Sequence, residues 1–459
     1  MKFKSWLFLA LAAGLSASSS LAADDSTNNE DIQTLKQEIQ QLEQKVDKLE
    51  NKQEQDHAAV TNANKPTARL TVGQDGILFT SANSNFTAGL HAWVQVDTRS
   101  FFENQNVQGL DGFLLRRARL IFQGTVFNNF DYNLTPEFAG NSPQILDAFI
   151  NYHYDQQLQA QFGKYKPPVG LEALEPDIYT LFNERGLATD LVPYRSIGAE
   201  LHGDVFGGAF TYAAGIFNGL PDYNTSTINT NLDNDMAFAG RVFTVPFKQT
   251  SIEPLKGLGA GVSGSYEHDR GTAAALTPGY TTDGQEKFFT YSAGVVGNGT
   301  HWRVSPQGYY YYGPFGLMGE YVISDQQVTK TTAPTASATI KNTAWDVSAG
   351  WVLTGENASY LGVMPAHPFN IRDGGWGAWQ VVGRFAELNV DSDAFPLFAS
   401  PTTSASAAHA WAAGLNWYLN RNVRMNLSFS HTWFEGNATA NVVTKQPENV
   451  LFTRVQLAF

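Results

Sequence analysis

Residues 414–436, GLNWYLNRNVRMNLSFSHTWFEG, switch between apolar and polar at nearly every step. Leu415, Trp417 and Leu419 share one side of a first arm, with Asn416 on the other. After Asn420-Arg421-Asn422 a second arm carries Val423, Met425, Leu427 and Phe429 on one side and Arg424, Asn426 and Ser428 on the other. A period of two is the mark of a β-strand with unlike faces. The alternation recurs from residue 85 to residue 459. Ala88, Leu90, Ala92, Val94 and Val96 interleave with Gly89, His91, Trp93, Gln95 and Asp97, and Ala118, Leu120 and Phe122 with Arg117, Arg119 and Gln123. Such a pattern leaves room for little but an antiparallel sheet, of about sixteen strands by its length and turn spacing.

Two architectures satisfy that sheet: a sandwich that buries its apolar faces against each other, or a cylinder that shows them to lipid. The polar faces carry Arg, Asp, Glu and Asn in mid-strand, which suits a wet interior, and the apolar faces often end in Trp, Tyr or Phe, as interfacial girdles require. Tight connections at Phe127-Asn128-Asn129-Phe130, Phe206-Gly207-Gly208, Gly313-Pro314-Phe315-Gly316 and Asn420-Arg421-Asn422 alternate with long polar loops expected at 219–235, 325–342, 391–406 and 436–448. No apolar run past the N-terminus reaches the roughly 18 residues of a spanning helix. A sheet in lipid must close to satisfy its edge hydrogen bonds. The expected fold class is therefore an all-β transmembrane barrel over residues 85–459, greasy outside and hydrated within, with outer-membrane lipid as its solvent.

The N-terminal part reads differently. Residues 1–22 have Lys2 and Lys4, an apolar stretch from Trp6 to Leu15 and the small-residue site Ser20-Leu21-Ala22, the pattern of a secretory signal peptide. Residues 23–52 place Ile32, Leu35, Ile39, Leu42, Val46 and Leu49 at alternating steps of three and four, a short heptad helix whose seam needs partner helices. Residues 53–84 are the expected linker and lead-in to the barrel. Cysteine is absent and the formal net charge is −13, so neither disulfides nor a basic nucleic-acid footprint is available. The histidines show no paired metal spacing, and Gly259-Ala-Gly261-Val-Ser-Gly264 lies in a strand pattern and opens no helix, so no metal and no cofactor are expected. Ser430 and His431 fall on opposite faces, which argues against a hydrolase. No catalytic residue is assigned.

In a diffusion pore the chemistry is selectivity, set by charges that line a narrow wet cross-section. Arg117 and Arg119 have the parity of the interior, Arg116 is expected near the loop end of its strand, and Arg241, Arg384, Arg424 and Arg454 also face inward. Residues 163–198 leave a strand at Pro167-Pro168 and carry Leu171, Leu174, Ile178, Tyr179, Leu181 and Phe182, too apolar and too long for an exposed loop. This stretch is expected to fold into the lumen and narrow it. Lys164, Lys166, Arg185 and Arg195 would bring positive charge there, opposed by Glu172, Glu175, Asp177 and Glu184.

Several ordered segments carry a family resemblance: FLLRRARLIFQGTVFNNFDY (113–132), QFGKYKPPVGLE (161–172), IGAELHGDVFGGAFTYAAGIFNG (197–219), RVSPQGYYYYGPFGLMGEY (303–321), GWVLTGENASYLGVMPAHPF (350–369), GAWQVVGRF (377–385) and GLNWYLNRNVRM (414–425). Together they resemble the phosphate-selective porins O and P of Gram-negative outer membranes. The resemblance implies a 16-stranded barrel, a trimer, an N-terminal helical extension in the periplasm and passive passage of anions. It also implies an anion-site lysine at Lys166, and Phe459 as the residue that presents the chain to the barrel-assembly machinery. The family's phosphate-specific members carry an arginine ladder on an outer loop. Here PDYNTSTINTNLDNDMAFAGR has no base before Arg241, and Asp222, Asp233 and Asp235 stand in its place. The expectation is thus a porin for small anions, phosphate among the candidates. The alternatives are a weakly selective general porin, or a barrel that anchors a periplasmic coiled coil.

Overall fold

The computed structural model describes residues 27–63, 67–102, 109–223, 234–271, 277, 279–436 and 447–459. Residues 1–22, which carry the expected signal peptide, Asp233 and most of the loops at 219–235 and 436–448 lie outside them. The chain divides into two units, Met1–Pro66 and Thr67–Phe459. In the first, one helix runs Thr27–Ala63, past the boundary expected at 52. Its apolar residues Leu35, Ile39, Leu42, Val46 and Leu49 are exposed.

In the second unit the strands are β1 (Arg69–Gly73), β2 (Gly76–Thr80), β3 (Phe86–Phe102), β4 (Gly112–Val126), β5 (Phe130–Glu137), β6 (Gln144–His153), β7 (Gln159–Tyr165), β8 (Ser196–Val205), β9 (Phe210–Phe217) and β10 (Ala237–Thr244). There follow β11 (Leu258–Arg270), β12 (Tyr280–Thr281), β13 (Lys287–Phe289), β14 (Val295–Tyr312), β15 (Phe315–Lys330), β16 (Ala336–Val352), β17 (Ala378–Asn389), β18 (Ala407–Tyr418), β19 (Val423–Glu435) and β20 (Glu448–Ala458). Among the described residues, β3–β11 and β14–β20 form a closed antiparallel barrel of sixteen strands, each paired with the next and β20 paired back to β3. The GxGxxG stretch lies wholly within β11.

Closure is secured on the lumen side. Arg454 of β20 makes a forked bond to Asp97 of β3, at 2.7 Å on both oxygens, and neither side chain is exposed. At the turn end Phe459 and Ala92 exchange backbone hydrogen bonds of 3.0 and 2.8 Å. Directly beyond, the β1–β2 hairpin takes over the same edge, pairing Ile77 with Leu90 and Thr80 with Thr87. The stretch expected as a plain lead-in is thus partly strand.

The alternation read from the sequence sorts the two faces. Val94, Val96, Phe122, Met425, Leu427, Val455 and Leu457 are exposed on the outer wall, while Gln95, Asp97, Asn416, Arg424 and Asn426 are buried on the inner one. An apolar outer face beside a polar lumen is what a lipid-embedded barrel requires. Trp379 stacks on Trp417 at 4.8 Å near the turn end, one element of an aromatic girdle.

Two connections depart from expectation. Residues 325–342 form no long loop: β15 and β16 pair as far as Lys330 with Ala336. The Ser/Thr-rich stretch keeps its period of two, because Val328 and Ile340 are fully buried against Phe288, Phe289 and Phe398 in an apolar cluster at the loop end. Threonine is also a good strand former. Conversely, β16 and β17 are joined at the turn end by the long segment 353–377, where short turns prevail elsewhere.

Candidate functional site

The connection from β7 to β8, residues 166–195, folds into the barrel. Pro167 and Pro168 cannot extend a ladder, and Val169, Leu171, Leu187, Leu191 and Val192 then bury fully against the inner wall. A buried loop must find partners for its backbone, and this one finds them around the circumference. The Glu320 carboxylate accepts from the Leu171 and Glu172 amides, both at 2.9 Å. Ser263 accepts from the Gly170 amide at 3.0 Å. Asn416 donates to the Leu181 carbonyl at 3.0 Å, Arg384 to that of Glu184 at 2.9 Å, and Gln456 to that of Ile178 at 3.1 Å. From the turn end the Tyr360 hydroxyl, on the 353–377 segment, donates to the Leu171 carbonyl at 2.6 Å. The loop is held from the wall and from below.

At its inner edge Asp177 is shared by three guanidinium groups: Arg117, at 3.1 Å, Arg119 and Arg185. Arg119 also bonds Glu137 at 2.7 Å, and Arg117 donates to Gln95 at 2.7 Å while its Nε has no partner among the described residues. Beside them Arg116 makes a forked bond to Glu184 at 2.6 and 2.9 Å, and Arg99 reaches the same carboxylate at 3.2 Å. Adjacent residues such as Arg116 and Arg117 cannot both face inward along a regular strand. They do so here because a bulge interrupts the register: Gln95 opposes Arg117 and Val96 opposes Leu115, which leaves Arg116 as the extra residue. Arg116 lies in the loop-end third of β4, as expected, but periodicity alone cannot reveal a bulge, so its inward turn was not legible.

A cavity of about 500 Å³ opens on the loop side of this cluster, lined by Arg116, Arg117, Glu184, Arg185 and Tyr223. On the turn side a second, of about 590 Å³, is lined by Trp93, Arg119, Lys166, Asp177, Arg195 and Arg241. The Asp177 cluster lies between the two. Lys166 donates to the Ala173 carbonyl at 2.5 Å, and Arg195 makes a forked bond to Asp147 at 2.9 and 3.1 Å. Arg241 has only Gln307 at 3.0 Å and the Phe243 ring at 4.5 Å; no carboxylate among the described residues lies within ion-pair distance.

The other expected bases stand apart. Lys164 is buried in the wall and donates to the Ile145 carbonyl at 2.8 Å. Arg384 lies behind the loop, bonded to Asp283 at 2.9 Å and Glu172 at 3.4 Å. Arg424 borders a third cavity near the turn end. On the outer loop, Asp222 and Asp235 are engaged by Arg303 and Arg270, both at 2.6 Å. Ser430 is turned inward onto Asp283, whereas His431 stacks beside Trp433. Among the described residues no group of His, Asp or Glu is arranged to hold a metal.

A closed sixteen-strand barrel with a charged, loop-narrowed lumen defines an outer-membrane channel. The chain belongs to the phosphate-selective porin O and P family, whose model matches residues 86–459. Solved structures agree on the fold. The outer-membrane channel DcaP of Acinetobacter baumannii is similar with a TM-score of 0.52 at 10% identity, covering 83% of this chain and 99% of that one. An anion-selective porin from Comamonas acidovorans (TM-score 0.50, 12% identity, 82% and 100% covered) and OmpT of Vibrio cholerae (0.50, 11%, 82% and 98%) share the architecture. No curated protein sequence matches the chain.

Proposed function

We propose that this porin passes small anions by passive diffusion across the outer membrane of a Gram-negative cell, selecting them at the Asp177 cluster. The observation that carries the reading is three guanidinium groups sharing one carboxylate. Such a cluster keeps a positive excess in a narrow, partly desolvated passage, which raises the local concentration of anions and replaces part of their hydration. Arg116, Arg117 and Arg185 would receive an anion from the loop-side cavity. Arg119, Lys166, Arg195 and Arg241 would take it onward, with Lys164, Arg384 and Arg424 contributing background field. Guanidinium groups suit the forked geometry of phosphate, and phosphate is one candidate solute.

The assembly is read as a trimer; the Vibrio OmpT likeness includes a trimer form, and the uncovered heptad seam favours self-association. The turn end and the helix would then lie in the periplasm. Phe459 would present the chain for barrel insertion. A second reading, a weakly selective general porin, draws support from the number of bases already matched by acids, Arg195 with Asp147 and Arg303 with Asp222 among them.

The deciding measurement is the zero-current potential of the purified protein in a planar bilayer under a KCl gradient, repeated with phosphate as a blocker. An anion-selective sign is expected. A cation-selective sign removes the reading, and chloride current indifferent to phosphate removes phosphate from it.

A further inference from the structure

The barrel wall is uneven in height. From β5 to β10 the strands count 8, 10, 7, 10, 8 and 8 residues, against 18, 16 and 17 for β14, β15 and β16. A tilted strand needs about 9–11 residues to cross a bilayer, so β5, β7, β9 and β10 fall short of it. Beside this low wall β4 stands taller than its neighbour. Its pairing with β5 reaches only to Arg119, opposite Glu137, so residues 112–117 are paired to β3 on one side and to no strand on the other. Phe113, 86% exposed, and Leu115 project outward from that stretch. An open sheet edge in lipid leaves backbone donors and acceptors without partners.

The aromatic girdle divides in the same way. None of the ten tryptophans falls between residues 94 and 301. On the tall side Trp351, Trp379 and Trp417 mark the turn end, and Trp302 and Trp433 stand toward the loop end. On the low wall Tyr132 and Tyr152 mark the turn end. An outward row then runs from Ile150 through Phe162, Ala199 and Ile216 to Phe238, and neither that row nor the outward positions beyond it hold Trp or Tyr. Interfacial Trp and Tyr anchor a wall that meets headgroups at both ends; this wall lacks the upper set. Protein is the surrounding that fits it, and an apolar row matches another like itself. The heptad repeat of residues 32–49 is of the kind that joins copies. We propose that the outer face of β5–β10, with Phe113 and Leu115 of β4, is where the barrel of a second copy of this chain docks, leaving β14–β19 to the lipid. This goes beyond the trimer reading, since helices alone could tie copies whose barrels never touch.

The chain has no cysteine, so a nitroxide can be attached at one chosen position of the full-length protein in liposomes. Collision with lipid-dissolved oxygen, read from power saturation, is expected to be about threefold rarer for labels at Phe162→Cys and Leu201→Cys than at Val347→Cys and Phe385→Cys, as in the packed core of an interface. Heat-modifiable mobility reports whether each labelled variant is folded, and sedimentation in mild detergent whether it is oligomeric. Equal collision rates on the two walls of an intact oligomer overturn the proposal; copies tied through their helices only, or a bilayer thinned around the low wall, would give that result. Shielding of the tall wall alone overturns it too, as does an unaltered protein that sediments as a monomer. A label at Phe162→Cys that releases folded monomers, where the same label at Phe385→Cys does not, supports it. Should Phe162→Cys not fold, Leu201→Cys carries the comparison. A cation-selective zero-current potential would remove the anion reading and leave this result untouched.

Discussion

At the scale of single residues, Asp177 has more leverage than any one base around it. Converting it to Asn removes the carboxylate that Arg117, Arg119 and Arg185 share, leaving only Arg119 with another, Glu137, so Asp177→Asn is expected to raise the anion-to-cation permeability ratio about two- to tenfold, while Arg117→Gln or Arg119→Gln lowers it. Reversal potentials under a KCl gradient check both directions. Arg117 and Arg119 were legible in the sequence because strand parity fixes which side a residue takes. Arg384 shows the limit of that argument: it does point inward, yet the loop stands between it and the passage, with its guanidinium carbon 4.6 Å from the Phe182 ring centroid. Parity separates inside from outside; it does not tell which inside residues another segment will cover.

Among the elements, the loop of residues 166–195 announced itself by Pro-Pro followed by apolar side chains, since such a segment has to be buried somewhere. Its counterpart, the 353–377 segment, gave no comparable signal. Gly355, Gly362, Gly374 and Gly377 read as ordinary turn punctuation, and the one contact that matters, Tyr360 to Leu171, joins residues far apart in the chain. Tyr360→Phe removes only this hydrogen bond, worth about 1 kcal/mol. It is expected to leave the reversal potential near its original value and to increase open-channel current noise as the loop loosens. Noise analysis of single channels reads that change, and a quiet channel would mean that the tether is dispensable.

For the molecule as a whole, closure depends on the pairing of β20 with β3, and the Arg454–Asp97 contact is the most secluded ion pair across it. Removing Asp97 leaves Arg454 with only the more distant Glu184, at 3.8 Å, and breaking a buried pair of this kind costs about 3–5 kcal/mol. Asp97→Asn is therefore expected to lower the temperature at which the folded band disappears in unboiled electrophoresis, well beyond the shift caused by Asp235→Asn, whose partner Arg270 is exposed. Removing residues 23–68 should leave single-channel conductance intact if the barrel is the functional unit; bilayer recording of that variant checks it. The barrel itself was legible because the alternation of faces runs through its strands, with local breaks such as the bulge at Arg116 too small to hide it. The closing hairpin β1–β2 was not, since two five-residue strands are too short to stand out from a linker.

The way the lumen is filled has a final consequence. The bases that meet at Asp177 come from β4 and from the loop itself, while Glu320 and Asp346 sit on β15 and β16 near Glu172 on the back of the loop, where Arg384 is the base that faces them. If the lumen conducts as proposed, the field in its narrowest section would have a component running sideways, from one wall to the other. A molecule with a strong dipole would be turned broadside as it crosses, and its shape in that orientation would set the sieve.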